Sequence, residues 1–271
     1  MSEGSDNWPN EDLEEVKIVN LILFILLLLS EVWCLVSTIK VFSIKAALSG
    51  ISLLAIYICL HMTFILRIFY CFGRFALEYE RSDIESIDNF SILAKDSFVG
   101  ILAWRLMEVV YSLDKRKEYL IKLINILLVL IILHILTYLI IYILWFTGVI
   151  GIVFLGTYCY SSEIVLALIY IYTSAQVVRS WRDNKIELTG YLRWVFIIMI
   201  YMIFALIVRV VANILEEKDL NNYIMRFTIY KMIMILLIEI IPCNVMCVCL
   251  YMVAKDFDSS NEAVAEFHTD E

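Results

Sequence analysis

Proline is nearly absent from this 271-residue chain: Pro9 and Pro242 are the only two, and glycine occurs eight times. So little turn material speaks against a β-rich domain with many tight connections and for long helices joined by short links. Histidine is scarcer than cysteine, with three against seven. No glycine-rich phosphate loop, no His-Glu-x-x-His and no serine elbow occurs, which removes the common nucleotide, zinc-protease and hydrolase sites. An intramembrane protease would need paired aspartates or a serine–histidine set within its spans, and Asp96 is the only aspartate in a predicted span. A voltage sensor would need arginines at every third position, and there is no such ladder. Inverted-repeat transporters break helices near midplane in both halves; only Pro242 does so here, without a counterpart. We therefore expect no enzyme, no cofactor and no metal.

What the chain has in abundance is apolar surface. It is 62% hydrophobic with a mean hydropathy of +0.86, against about 45–50% apolar residues in ordinary soluble domains. A spanning helix needs about 20 apolar residues. Seven stretches qualify: Val16–Ile39, Ala46–Phe72, Phe90–Tyr111, Leu120–Phe146, Ile152–Val178, Tyr191–Leu215 and Ile224–Val253. The third is the weakest, because it carries Lys95, Asp96, Arg105 and Glu108. The break between the fourth and fifth rests on Thr147, Gly148, Gly151 and Gly156, and the fifth could begin nearer Ser161. The expected fold class is all-α, one bundle of seven transmembrane helices over residues 16–253. An acidic tail precedes it at 1–15, and a short acidic disordered tail follows at 254–271. The first fifteen residues are acidic rather than basic, so the first span reads as a retained signal anchor.

The net charge of −8 is concentrated at the ends. Residues 1–15 hold six acids and no base, and residues 254–271 hold six acids and Lys255. That pattern excludes nucleic acid as a partner. Lysines and arginines of the short connections fix the direction of a multi-pass chain. With the N-terminus lumenal or extracellular and the C-terminus cytosolic, eleven basic residues fall inside against five outside. The inner basic loops then include Lys115, Arg116, Lys117, Arg179, Arg182 and Lys185. The acidic loop 78–88 falls outside, and so does the single Asn-x-Ser sequon at Asn89, a candidate glycosylation site.

Ionisable residues inside a span are expensive and point to interior contacts. Five stand out: Glu31, Arg67, Glu163, Arg209 and Glu239. Each arginine could snorkel to the headgroups, and each carboxylate could serve as a structural contact between helices. The sharper expectation is a polar cluster inside the bundle, in which Arg67 and Arg209 pair with Glu31 and Glu239. Pro242 marks a kink one turn beyond Glu239. His61 and His134 read as hydrogen-bonded interior residues, and Arg105 with Glu108 as a local i, i+3 pair. Trp104, Trp145, Trp181 and Trp194 read as interfacial belt residues. The cysteines lie mostly in apolar runs and act there as small hydrophobes. Cys71 with Cys159 is a candidate disulfide, and Cys243, Cys247 and Cys249 are candidate acylation sites.

The gross layout matches G-protein-coupled receptors, but the third span ends Met107-Glu108-Val109-Val110-Tyr111 and the last carries Ile241-Pro242-Cys243, neither of which fits receptor motifs. The second half instead resembles the plant tobamovirus-multiplication membrane protein family and its animal relatives, lysosomal orphan-receptor-like seven-span proteins. The resemblance is carried by Leu206-Ile207-Val208-Arg209, the acidic stretch Glu216-Glu217-Lys218-Asp219, and Leu237-Ile238-Glu239-Ile240-Ile241-Pro242. Arg67 with Phe69, Phe72 and Gly73 is a looser match, and Glu108 resembles a family glutamate. The proline is displaced by one residue, and Ala254-Lys255-Asp256 stands where the family has a basic motif. The resemblance implies a vacuolar or lysosomal membrane protein whose cytosolic face recruits a small Arf-like or Rab GTPase. A divergent receptor with a lumen-facing polar cavity and a small-solute carrier are the alternatives.

Overall fold

The computed structural model describes residues 13–44, 51–76, 81–113, 117–185, 190–217 and 232–269. Among these the chain is all helix, without strands. The elements are α1 (Leu13–Ser43), α2 (Ile51–Ala76), α3 (Arg81–Leu113), α4 (Lys117–Phe146), α5 (Ile152–Asp183) and α6 (Tyr191–Glu217). A final helix opens on residues 232–235, passes through a π-helical turn at Leu236–Ile240, and continues as α7 (Ile241–Thr269). Six of the helices are long and apolar enough to cross a membrane, and α3 is not among them. The protein is a multi-pass membrane protein.

The contacts close a cycle. α1 packs on α2, α2 on α3, α3 on α5, α5 on α6, α6 on α7 and α7 on α1, while α4 lies outside against α3 and α5. This order explains the unusual sequence of α3. Walled by α2, α4 and α5, it buries Ser91, Lys95, Asp96 and Ser97 together with Phe98, Val99 and Leu102. Its polar side chains face protein, where partners can satisfy them, rather than acyl chains, where none exist. α4 is the opposite case: Ile126, Val129, Leu133, Leu136, Ile140 and Ile143 are all exposed, as expected of a helix facing lipid on its outer side. α3 and α4 approach closely at Gly100, where an added Cβ would lie 3.0 Å from Cγ1 of Ile131.

α4 ends at Phe146, and Gly148 just beyond it takes a positive φ of 74°, which is open to glycine without strain. Its amide donates to the Trp145 carbonyl at 2.9 Å, and α5 restarts at Ile152 rather than at Ser161.

Several expectations change. The stretch 78–88 is not a loop from residue 81 onward, because α3 begins at Arg81 and carries its acidic residues on a helix. Asn89 therefore sits within a helix, with Ser91 of its sequon fully buried, which is a poor acceptor geometry for glycosylation. The acidic tail is helical to Thr269; Glu262, Ala263, Ala265 and Glu266 are good helix formers that prolong the span before them. Trp181 is buried against Phe196 instead of standing in a belt. All seven cysteines are free thiols, so Cys71 and Cys159 do not pair; Cys159 instead contacts the Tyr138 hydroxyl at 3.7 Å. Lys115, Arg116, the N-terminal residues 1–12 and the segment 218–231 lie outside the described residues.

Candidate functional site

The buried stripe of each helix decides where its charges point. On α2 the stripe runs Leu60, Phe64, Arg67, Cys71, in steps of four, three and four. On α5 it runs Leu155, Cys159, Glu163, Leu166 and Tyr170. Arg67 and Glu163 occupy inward positions of an otherwise apolar or small-residue face. Arg67 is only 6% exposed, which rules out snorkelling for it.

Glu239 is the hub. Arg67 grips it with two parallel bonds, Nε to Oε2 at 2.6 Å and Nη2 to Oε1 at 2.7 Å. Such a fork-on-fork pair is the strongest arrangement these groups can make. Lys95 Nζ donates to the same Oε1 at 3.4 Å, and Arg209 Nη1 stands 3.9 Å from it. Arg209 also pairs directly with Glu163 through Nη2 and Oε1. Asp96 lies next in the cluster, with Oδ2 3.9 Å from Nε2 of His134. Nδ1 of that histidine meets the Tyr158 hydroxyl at 3.2 Å. The set brings three cationic side chains, Arg67, Lys95 and Arg209, against three carboxyl side chains, Asp96, Glu163 and Glu239. Opposite charges meet at Arg67–Glu239 and Arg209–Glu163, which is what makes buried ions tolerable in a low-dielectric interior.

The backbone is irregular where the hub sits. Glu239 lies inside the π-helical turn, and Pro242 follows directly on α7. Proline removes one amide and crowds the carbonyl a turn earlier, and the wider π register accommodates that crowding. Asn244 caps the same turn from below, donating Nδ2 to the Ile240 carbonyl at 2.8 Å and to Ser30 Oγ of α1 at 2.7 Å. Ser37 continues this seam by donating to the Cys247 carbonyl at 2.9 Å, with Tyr57 of α2 on its other side at 2.9 Å.

The cavity beside the cluster is small. It measures about 20 Å³ and is lined by Lys95, Asp96, Glu163, Arg209 and Pro242 among others. That is the room of roughly one water molecule.

Glu31 does not join this cluster. Its Oε1 pairs with His61 Nδ1 at 2.7 Å, while His61 Nε2 meets Thr38 Oγ1 at 3.0 Å and stands 3.9 Å from Cys34 Sγ. The pair lies in the groove between α1 and α2, each side chain 21% exposed. Glu31, Cys34 and His61 place one ligand atom each within 4.8 Å of one another, and among the described residues they are the group that could hold a metal ion. Both imidazole nitrogens already serve protein partners, so as it stands the group is a hydrogen-bonded seam.

Of the residues singled out from the sequence, Arg67, Arg209, Glu163 and Glu239 come together, and Glu31 stands apart. Lys95 and Asp96, read only as weaknesses of a span, are members of the cluster. Arg179 and Arg182 lie on the last turns of α5 rather than in a loop, and Lys185 follows with a positive φ of 53°. Arg105 and Glu108 pair with each other, half-exposed, as their spacing predicts. Comparison with protein-family models, with curated proteins and with solved structures finds no match to this chain.

Proposed function

We propose that this is a seven-span, non-enzymatic membrane protein of a vacuolar or lysosomal membrane, which acts from its cytosolic face by recruiting a small Arf-like or Rab GTPase. The observation that supports this over the other readings is the closed interior. The ion pairs of the polar cluster are formed within the bundle, and the cavity beside them, about 20 Å³, has no room for a solute or an anionic ligand. A protein whose interior is filled with paired charges has its outer surfaces left for function. The choice of GTPase and of organelle rests on the resemblance around Arg209 and Glu239.

The place of α3 between α2, α4 and α5 supports counting it as the seventh span. Seven spans put the termini on opposite sides, and the lysines and arginines of the connections support a lumenal N-terminus and a cytosolic C-terminus. The cytosolic ends would include Arg179, Arg182 and Lys185, with the Arg182 side chain 78% exposed.

Proximity labelling from the C-terminus tests the reading. Recovery of Arf-like or Rab proteins, followed by nucleotide-dependent binding to the purified protein in nanodiscs, is the expected result. Recovery of heterotrimeric G-protein subunits instead would overturn it. That outcome would favour a divergent receptor, a second reading to which the π-helical turn lends weight. A one-residue return to α register there would rotate Glu239 away from Arg67 and open the cluster.

A further inference from the structure

We propose that the cleft between α5 and α6 holds one anionic phospholipid, with an acyl chain along the groove and the phosphate at Arg179 and Arg182. The groove encloses about 410 Å³, within the usual range for ligand pockets of roughly 300–1,000 Å³. Its α5 wall is the stripe Ile171, Ser174, Ala175, Val178, Arg179 and Arg182, set on one face by steps of three and four. The short side chains of Ser174 and Ala175 make the notch, and Met199 and Ile203 of α6 line the far side.

The dimensions suit a lipid of one leaflet. Ile171 to Arg182 spans roughly 16 Å of helix axis at about 1.5 Å per residue, about half of a hydrocarbon core of ~30 Å. Both walls belong to helices able to cross a membrane, so the medium at the groove is acyl chains. The charges select the headgroup. Arg179 and Arg182 are exposed at the mouth and share a single carboxylate, Asp183, at 3.6 Å and 3.5 Å through their Nε atoms. Two guanidinium groups on one carboxylate leave excess positive charge, and exposed Lys185 and Arg193 add to it at the same end. Basic pockets between transmembrane helices at a membrane face suit anionic headgroups. A zwitterionic choline lipid would bring its own cation to this site and lose that advantage. The inference needs only the bilayer and is independent of any GTPase.

The test uses the full-length protein taken from vesicles of phosphatidylcholine containing phosphatidylglycerol, with bound lipid read by native mass spectrometry. One phosphatidylglycerol is expected to remain after phosphatidylcholine is stripped, and inorganic phosphate should not displace it. Arg179→Gln with Arg182→Gln should lower the retained fraction roughly tenfold or more. Ala175→Leu should fill the notch and remove both lipids from a protein that stays monodisperse. A photoactivatable phosphatidylglycerol on the wild-type protein should label peptides of α5 and α6, which keeps the test open if Ala175→Leu does not fold. Equal retention of the two lipids, displacement by phosphate, insensitivity to the arginine pair, or labelling confined to α4 would each overturn the proposal. GTPase binding measured on the same preparations separates its failure from failure of the recruitment reading.

Discussion

The Arg67–Glu239 cluster and the Glu31–His61 seam both place polar side chains inside apolar helices, yet they are built differently. The cluster is enclosed by α2, α3, α5, α6 and the π-helical turn and is built on the ion pairs Arg67–Glu239 and Arg209–Glu163. The seam lies mainly between α1 and α2, has Glu31 and His61 one-fifth exposed, and relies on hydrogen bonds among Glu31, His61, Thr38 and Cys34. Enclosure strengthens every attraction in the cluster and makes every missing partner costly. Partial exposure lets the seam relax toward alternatives when one member is lost.

The largest effect should follow Glu239→Leu. It leaves Arg67, Lys95 and Arg209 buried against only Glu163 and Asp96, and removing one partner of a buried pair costs about 3–5 kcal/mol. Thermal unfolding of the purified protein in detergent should show a large loss, or the protein should not accumulate. Adding Arg67→Leu removes the other half of the same ion pair. The double variant should be more stable than Glu239→Leu alone, with a coupling of roughly 2 kcal/mol in a double-mutant cycle. Strict additivity would show that the two groups do not depend on each other.

His61→Gln, in the seam, should cost only about 1 kcal/mol, the usual scale for a polar contact between membrane helices. A loss as large as that of Glu239→Leu would erase the distinction between the two regions. Gly100→Ala probes the enclosed region without touching charge. Its methyl meets Ile131 at 3.0 Å, and overpacking of about 1–3 kcal/mol, less about 1 kcal/mol gained in helix propensity, leaves a net loss of about 1 kcal/mol. The smallest effect should be that of Glu108→Gln, within about 0.5 kcal/mol, because its pair with Arg105 is half-exposed.

Much of the cluster was legible in the sequence because a charge in a span has few ways to survive. Arg67 and Glu163 fall on the stripe of their helices that also holds the small and apolar inward residues, so their direction can be read from spacing alone. Their partners cannot. Nothing in the spacing distinguishes Glu31 from Glu239 as the acid for Arg67, since both lie near midplane. Lys95 and Asp96 looked like defects of a span because hydropathy averages over a window and does not see which helices surround it. The helical course of 254–269 and the burial of Trp181 escaped for a related reason: local composition marks an interface or a tail, whereas neighbouring helices determine what is covered.

Composition and run length alone made this chain an assembly of membrane-crossing helices, because apolar segments of that length have no other stable solvent. The inward direction of several charges came from the same source, through helical periodicity. Only the tertiary structure decided which charges meet, that Glu239 is the acid Arg67 grips, that the cavity among them has room for about one water, and that α3 with its buried lysine and aspartate belongs in the middle. Those outcomes depend on the cyclic order of the helices, and that order is set by side-chain packing between segments far apart in the chain, which no local pattern encodes.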